Sequence, residues 1–423
     1  MSEPLSWYQA SAGQNVQFDQ LVGDHSADVV IIGGGYTGLS AALELAQAGA
    51  QVILLEAEQI ASGASGRNGG QLCSDYRHPV TELARVFGQE QALLAWQAVE
   101  DGKMLIAERI RQFAIDCDLH WGYLHVASHA RELRECESTI EEWARLGYPH
   151  GQLVSADELA DYVASPLYCG GLIDDGAGHF HPLRYALGLA KAAASCGACL
   201  HEQSRALAVD LDQGLVRTAE GTVQARHIIL AGNAYLGDLV PTLVRQIQPI
   251  GSYMLATEPL GADQAERLIA ARRAVCDFKH IPNYYRTSHD HRLIFGGRES
   301  SFGRPPTDLQ TWLRTQMLTV FPQLEHAGIE YCWGGQIALT MSRMPALGRI
   351  GKRGYYAHGF SGQGVVISNM VGKLMADAIA GDAPVFEILA RYPHRRFPPS
   401  RAIGAWLLAI GVLWFRLRDR IGL

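Results

Sequence analysis

The sequence predicts an α/β protein in which a Rossmann-type dinucleotide-binding domain is interleaved with an α+β domain built on an antiparallel sheet. Three observations carry that prediction. A strand, a glycine turn, a helix, a second strand and a carboxylate follow one another over residues 28–56. A second glycine-rich loop comes directly behind them, and the remaining chain alternates between helix-period and strand-period segments. With 423 residues, 48% of them hydrophobic, the chain is long enough for two cores.

The first unit opens at residues 29–32 (VVII), a β-branched run that reads as a buried parallel strand. Gly33, Gly35 and Gly38 then spell G-x-G-x-x-G around Tyr36 and Thr37, at the mouth of a helix expected over 39–48. In that context Gly33 permits the tight turn, Gly35 lets main chain approach a pyrophosphate, and Gly38 allows close helix–strand packing. The helix N-terminus adds free N–H groups and the positive end of its dipole. A second apolar strand, 52–55, ends at Glu56. A carboxylate there accepts hydrogen bonds from both adenosine ribose hydroxyls and repels a 2′-phosphate, which disfavours NADP.

NAD and FAD are indistinguishable to this unit, and the following loop separates them. Residues 61–71 read ASGASGRNGGQ. Small residues as far as Ser65 let main chain run along an extended cofactor, Arg67 offers a fixed charge near phosphate or flavin, and Asn68, Gly69, Gly70 and Gln71 are candidates to lie under a flat ring. A nicotinamide enzyme has no need of such a loop, so the expected cofactor is FAD. Two later backbone sites suit the same ligand. Ala231 and Gly232 close a strand expected over 227–230, where small residues let a cofactor lie against main chain. Gly359, Phe360, Ser361, Gly362, Gln363 and Gly364 open a helix expected over 365–380, whose N–H groups would stabilise negative charge on a reduced flavin.

Between these sites the pattern leaves the nucleotide domain and returns. Long amphipathic helices are expected over 90–114 and 129–146 with a strand at 119–127, then a helix starting at Pro182 and strands at 200–203 and 207–211. Strands at 249–257, 283–287 and 292–297, with a turn at His289-Asp290, predict a second sheet that roofs the cofactor. Segments 333–339 and 355–358 are expected to re-enter the first domain. The partition is therefore 22–86, 153–245 and 333–400 for the FAD-binding domain, 87–152 and 246–332 for the substrate domain, and 401–423 for a C-terminal apolar helix.

Composition excludes some functions. The formal net charge of −7 argues against a nucleic-acid partner. The N-terminus lacks a basic region followed by an apolar one, so a cytoplasmic location is expected. Eight scattered cysteines fit reduced thiols, and the C-x-x-C at Cys196 and Cys199 has no second pair to complete a metal site; no metal is expected.

The runs GGGYTGLSAALELAQAG, GASGRNGGQ, AGNAYLGD (231–238), SRMP (342–345) and GFSGQG (359–364) resemble the D-amino-acid-oxidase-like family of FAD-dependent oxidoreductases, and most closely its polyamine-catabolic branch. The likeness runs over nearly the whole chain. It implies FAD-dependent oxidation of an amine C–N bond by hydride transfer to flavin N5, followed by imine hydrolysis. The expected substrate is gamma-glutamylputrescine or a related polyamine derivative, and the alternative is an amino acid such as a D-amino acid, glycine or sarcosine. Oxygen or a quinone would take the electrons. That chemistry needs positioning and desolvation more than an acid–base dyad. His181, Tyr285 and Trp333 are the candidate catalytic residues, although a histidine before a helix-starting proline is more often a capping or packing residue; Tyr253, Tyr284, Tyr285, Trp333 and Phe360 are candidate walls of an aromatic cavity.

Two departures from the family shape the substrate. Amino-acid-oxidising relatives clamp the α-carboxylate with an arginine where this chain has Gly334 to Leu339 without a basic residue, which favours an amine; Arg298 or Arg343 reaching the pocket would reverse that preference. Sarcosine-oxidase relatives carry a lysine near flavin N5 that residues 293–297 lack, which favours a quinone over oxygen. No cysteine or histidine in 61–71 offers a covalent flavin bond, so FAD is expected to be non-covalent, with Cys332 the residual attachment candidate. The apolar run 402–415 makes about 20 Å of helix, too short for a hydrocarbon core of roughly 30 Å. With Trp406, Trp414 and Arg416, Arg418 and Arg420 it is a candidate for peripheral contact with the inner membrane face through 402–421, against packing on the body or on a second copy.

Overall fold

The computed structural model describes residues 5–13, 16–74, 76–279, 281–301 and 305–421. Its chain builds two sheets that face each other across one cleft. The first is ordered Ala346–Ile350, Gly354–His358, Gly221–Leu230, Gly23–Ile32, Val52–Leu55 and Cys199–His201, with the short strands Ala208–Asp210 and Leu215–Arg217 extending the Gly221–Leu230 strand. Its central pairs are parallel, and Ile32 sits in register with Leu230 on one side and Leu55 on the other. That register sets Gly33, Glu56 and Ala231 side by side at the carboxyl edge, where open α/β sheets bind ligands. Both faces of this sheet are buried, as its β-branched runs require. Val29, Ile31, Val52 and Leu54 join the main core, while Val30, Ile32, Ile53 and Leu55 join a second cluster.

Helix Tyr36–Gln47 packs between Pro182–Ser195 and Gly364–Ala380. Contact with the latter is close because Gly372 faces the Thr37 carbonyl, and Ser40 Oγ donates to the Asn369 carbonyl at 2.6 Å. The mouths of both helices thereby open on the same cleft.

The second sheet runs Ile329–Leu339, Gln248–Thr257, Leu293–Ser300, Tyr284–Thr287, Ala274–Asp277, His120–Ala127, Gly170–His179 and Gln71–Leu72, with Gly151–Val154 on the Gly170–His179 strand. All its pairs are antiparallel except Ala274–Asp277 with His120–Ala127. One face carries Tyr253, Leu255, Tyr285 and Phe295 into a separate core under helix Leu309–Val320. The other face looks into the cleft.

Two sequence expectations need correction. Residues 333–339 do not return to the first sheet: Gln248 through Thr257 pair antiparallel with Leu339 through Ile329, which holds that strand in the second. Within 153–245, strand Gly170–His179 also belongs to the second sheet and was not anticipated at all. Its sequence, GGLIDDGAGH, carries little apolar alternation, and its glycines are what let strands approach. A Cβ at Gly171 would strike the His125 carbonyl, and one at Gly178 the His120 carbonyl.

The C-terminal helix, Arg401–Ile421, leaves the body from strand Gln248–Thr257. Among the described residues no single helix is long and apolar enough to cross a membrane. The side chains of Arg401, Arg416, Arg418 and Arg420 lie outside those described, as does that of Arg298.

Candidate active site

A cleft of about 860 Å³ runs along the carboxyl edge of the first sheet. Gly33, Gly35, Tyr36, Thr37, Glu56, Ser65, Arg67, Asn68, Ala231, Gly232, Phe360, Ser361, Gly362 and Gly364 all line it. Gly69, Gln71 and Gln363 line an adjoining cavity of about 130 Å³ instead, together with Arg67, Asn68, Gly362 and Gly364. Gly38, Gly70 and Gly359 line neither. A Cβ on Gly38 would strike the Gly33 carbonyl, and one on Gly70, at φ +73°, the Phe180 carbonyl, so both are glycine for packing reasons.

Whether this cleft suits a dinucleotide is decided by the main chain. Gly33 has φ +115°, and a Cβ there would lie 2.7 Å from the Ala231 carbonyl; a Cβ on Gly35 would lie 2.8 Å from Ser65 Oγ. That same oxygen accepts from the Tyr36 N–H at 2.9 Å, which ties the second glycine loop onto the mouth of the first helix. Neither Tyr36–Gln47 nor Gly364–Ala380 has a side-chain N-cap. Apart from the Tyr36 N–H, which Ser65 takes, the first-turn N–H groups of both helices have no capping side chain, and both mouths line the cleft, an arrangement suited to anionic atoms such as a pyrophosphate and a reduced isoalloxazine.

Glu56 is fixed by main chain at the edge of the cleft. Its Oε2 accepts the Gly34 N–H at 2.7 Å and its Oε1 the Glu58 N–H at 2.9 Å. Burial raises its pKa, and these amide bonds partly offset the rise. Arg67 is committed to the backbone: Nε donates to the Ser62 carbonyl at 2.7 Å and Nη1 to the Gly334 carbonyl at 3.1 Å, so it staples the loop to the second sheet. Asn68 closes the loop on itself, donating to the Ala64 and Ser65 carbonyls and accepting from the Gly70 N–H at 2.7 Å. Farther along the cleft, Asn233 Oδ1 accepts the Gly359 N–H at 2.9 Å and fastens the third glycine loop.

The smaller cavity lies between these loops and the cleft-facing side of the second sheet. Alternate residues of seven strands line it, among them Gln71, Tyr123, Ser252, Met254, Tyr284, Glu299 and Ile337. The same alternation removes most of the proposed aromatic wall. Tyr284 faces the cavity, and Tyr285 faces away, stacked on Phe295 at 5.5 Å and edge-on to Phe321. Tyr253 likewise packs on Trp312, and Phe360 lines the cofactor cleft. Trp333 lies on the cavity side but beneath the loop: its Nε1 donates to the Arg67 carbonyl at 3.0 Å, and its ring meets Tyr8.

His181 is a cap. Its Nδ1 accepts the Arg184 N–H at 3.2 Å at the start of Pro182–Ser195, which leaves the proton on Nε2, 3.0 Å from Ser11 Oγ. Burial first, then the Arg286 and Arg184 charges, hold its pKa well below the ordinary value. None of His181, Tyr285 and Trp333 lines either cavity. Cys332 faces the core under Leu309–Val320, its thiol pushed up to about 11 by burial, and does not border the cofactor cleft. Arg343 lines neither cavity, although it feels Glu299 and Arg77 across the cavity rim.

Sequence reasoning missed Tyr123, Glu299 and Arg77. Arg77 had a signal, a cation shortly after the loop, and its guanidinium lies against Gly362, where a Cβ would sit 3.5 Å from Nη2. Cys73, Arg77, Tyr123, Cys276, Pro282 and Gln363 line both this cavity and a neighbouring outer chamber of about 570 Å³, walled by the helices Gln89–Gln112 and Ala130–Leu146 and by the second sheet.

A parallel sheet that offers three glycine loops and two uncapped helix mouths to one long cleft, roofed by an antiparallel sheet, defines a dinucleotide-binding flavoenzyme. The chain belongs to the FAD dependent oxidoreductase family, whose model matches residues 28–378. It is 40% identical over 419 residues to gamma-glutamylputrescine oxidoreductase of Escherichia coli, covering 99% of this chain and 98% of the relative. Glycine oxidase of Geobacillus kaustophilus is 24% identical over 379 residues, covering 86% and 96%. In fold it is similar to the crystal structures of that glycine oxidase, with TM-score 0.71 over 85% of this chain and 95% of the other, and of L-proline dehydrogenase from P. horikoshii, with 22% identity and TM-score 0.74 over 87% and 98%.

Proposed function

We propose that the protein oxidises the C–N bond of an elongated amine, gamma-glutamylputrescine or a related polyamine derivative, with FAD held non-covalently. The observation that carries this reading is the pair of chambers. The inner one, about 130 Å³, admits a reacting amine end, and the outer one, about 570 Å³, accepts a long remainder. Glycine or sarcosine would leave the outer chamber to water. The similarity to the Escherichia coli relative supports the same reading.

Bound FAD supplies the hydride acceptor, and the resulting imine hydrolyses in water. The chain positions and desolvates. Tyr123 and Tyr284 give the inner chamber aromatic walls that favour a cationic or polarised amine, and Glu299 adds a carboxylate of the matching sign. Strand Ile329–Leu339 offers that chamber Gly335 and Ile337 and no cation. A small amino acid would find no carboxylate clamp on that strand; the guanidinium groups that do border the chamber, Arg67 and Arg77, come from the cofactor loop and the segment after it, and Arg67 is held by the Ser62 and Gly334 carbonyls. No lysine lines the inner chamber among the described residues, so a quinone or dye is the proposed acceptor in preference to oxygen.

Anaerobic stopped-flow spectroscopy tests this. Gamma-glutamylputrescine is expected to bleach the flavin much faster than D-alanine, glycine or sarcosine, and acid is expected to release intact FAD. Faster bleaching by a free amino acid overturns the amine assignment. Rapid peroxide formation in air overturns the acceptor and leaves the amine standing, and flavin that stays with acid-precipitated protein overturns non-covalent binding.

A further inference from the structure

The C-terminal helix Arg401–Ile421 is apolar on more sides than the body covers. Gly404 and Ala405 dock it: Ala405 is buried, and Gly404 lies so close to the Gln248 side chain that a Cβ would come within 2.5 Å of Oε1. On the opposite side Ile403, Trp406, Leu407, Ile410 and Trp414 are between 53% and 63% exposed. At about 100° per residue these five fall within an arc of roughly 100°, an unbroken apolar stripe three turns long. Isolated exposed hydrophobics are ordinary; five on one helix face are not.

Charge decides what covers the stripe. Residues 391–423 contain seven arginines, at 391, 395, 396, 401, 416, 418 and 420, against the single acid Asp419, a net +6. The whole chain carries −7, so the other 390 residues carry −13. A second copy docked face to face would set one +6 segment against another. An anionic bilayer surface attracts the segment and accepts the stripe, and tryptophan side chains favour that boundary. We propose that this helix lies in the interface of an anionic membrane, with the Ile403–Trp414 stripe entering the headgroup boundary and the basic C-terminal segment holding it there. The helix docks on the body at Gln248 and beside Phe397, neither of which lines the cofactor cleft or the inner cavity.

Flotation of the flavin-loaded full chain with vesicles tests the proposal, using phosphatidylcholine alone and phosphatidylcholine with phosphatidylglycerol. The protein is expected to float with the anionic vesicles, to stay behind with the neutral ones, and to be released by high salt. Trp406→Glu with Ile410→Glu is expected to abolish flotation while flavin content per chain and Tm stay unchanged; Ile410→Glu alone serves if the double variant loses flavin. Arg416→Gln and Arg418→Gln should each weaken vesicle binding about fivefold. Failure to float with anionic vesicles overturns the proposal. So does a wild-type dimer that Ile410→Glu splits into monomers, which would assign the stripe to a second copy.

Discussion

Replacing Glu56 with glutamine isolates the adenosine end of the cofactor site. The wild-type carboxylate already accepts two main-chain N–H groups, from Gly34 at 2.7 Å and Glu58 at 2.9 Å, and its remaining lone pairs border the cleft. Glutamine keeps one carbonyl oxygen. Its amide nitrogen must then face either an N–H of the loop or a ribose hydroxyl, and the charge that shortened every one of these bonds is gone. Losing hydrogen bonds to a charged acceptor costs about 1–3 kcal/mol, so the FAD dissociation constant should rise roughly fivefold to 150-fold. FMN lacks the adenosine, and its affinity should not change. Fluorescence titration of the apoprotein with both flavins makes the measurement, with Glu58→Gln as a control whose side chain is exposed. Equal weakening for FAD and FMN would mean a collapsed loop, and an unchanged FAD constant would falsify the assignment of Glu56 to the ribose.

Gly362→Val forces a side chain onto a backbone at φ +92° beside Arg77, and Gly364→Val crowds Phe360; both should lower flavin occupancy or flavin potential with far-ultraviolet circular dichroism intact, whereas normal occupancy and turnover in both would make the loop purely structural. Tyr284→Ala should reduce kcat/KM for the amine about tenfold and Tyr285→Phe should leave it unchanged, since adjacent residues of one strand face the cavity and the core; the reverse order in steady-state kinetics refutes the strand's orientation. His358, paired with Gln246 at 2.8 Å, has its pKa lowered to about 3, by burial first and by His394 second. Because the folded value lies below the unfolded one, its contribution to stability is complete above about pH 6.5 and is lost as pH falls toward 3, with a limiting slope of about 1.4 kcal/mol per pH unit. Urea titrations of His358→Asn should therefore show a shallower acid limb than wild type, and parallel limbs would exclude it.

The cofactor half of the protein was legible because the features read there are main-chain ones. Turn geometry, helix N-termini and close approach each demand glycine at set offsets from a strand, so the motif at Gly33 to Gly38, the loop at Ser65 to Gln71 and the helix mouth at Gly359 to Gly364 can be read without knowing any neighbour. The alternation of strands also separated two sheets. What it could not tell was membership: Trp333 to Leu339 has the composition of either sheet, and only pairing along Gln248–Thr257 assigns it. Strand Gly170–His179 was invisible for the opposite reason, since glycines that serve contact with His125 and His120 remove the apolar alternation that marks a strand.

The substrate half is built from side chains on one face of a sheet whose strands are far apart in sequence, and which face a residue takes depends on register. Tyr284 and Tyr285 are equivalent in sequence. A one-residue slip of their strand would exchange the cavity wall for a core stack on Phe295. Glu299 and Tyr123 join the same cavity from strands 176 residues apart, so neither carries a local signal. His181 and Trp333 attracted attention for chemistry and turn out to hold the machinery, one as a helix cap and one as the donor that fixes the Arg67 carbonyl. This division predicts where change is tolerated. Substitutions at cavity-facing positions such as Ser252 and Met254 should shift amine preference with flavin retained, because they line the inner cavity and not the cofactor cleft. Trp333→Phe should do the reverse, freeing the Arg67 loop and loosening FAD for every substrate. A panel of amines assayed against flavin occupancy separates the two behaviours, and a Trp333→Phe enzyme with full flavin but altered amine ranking would break the argument.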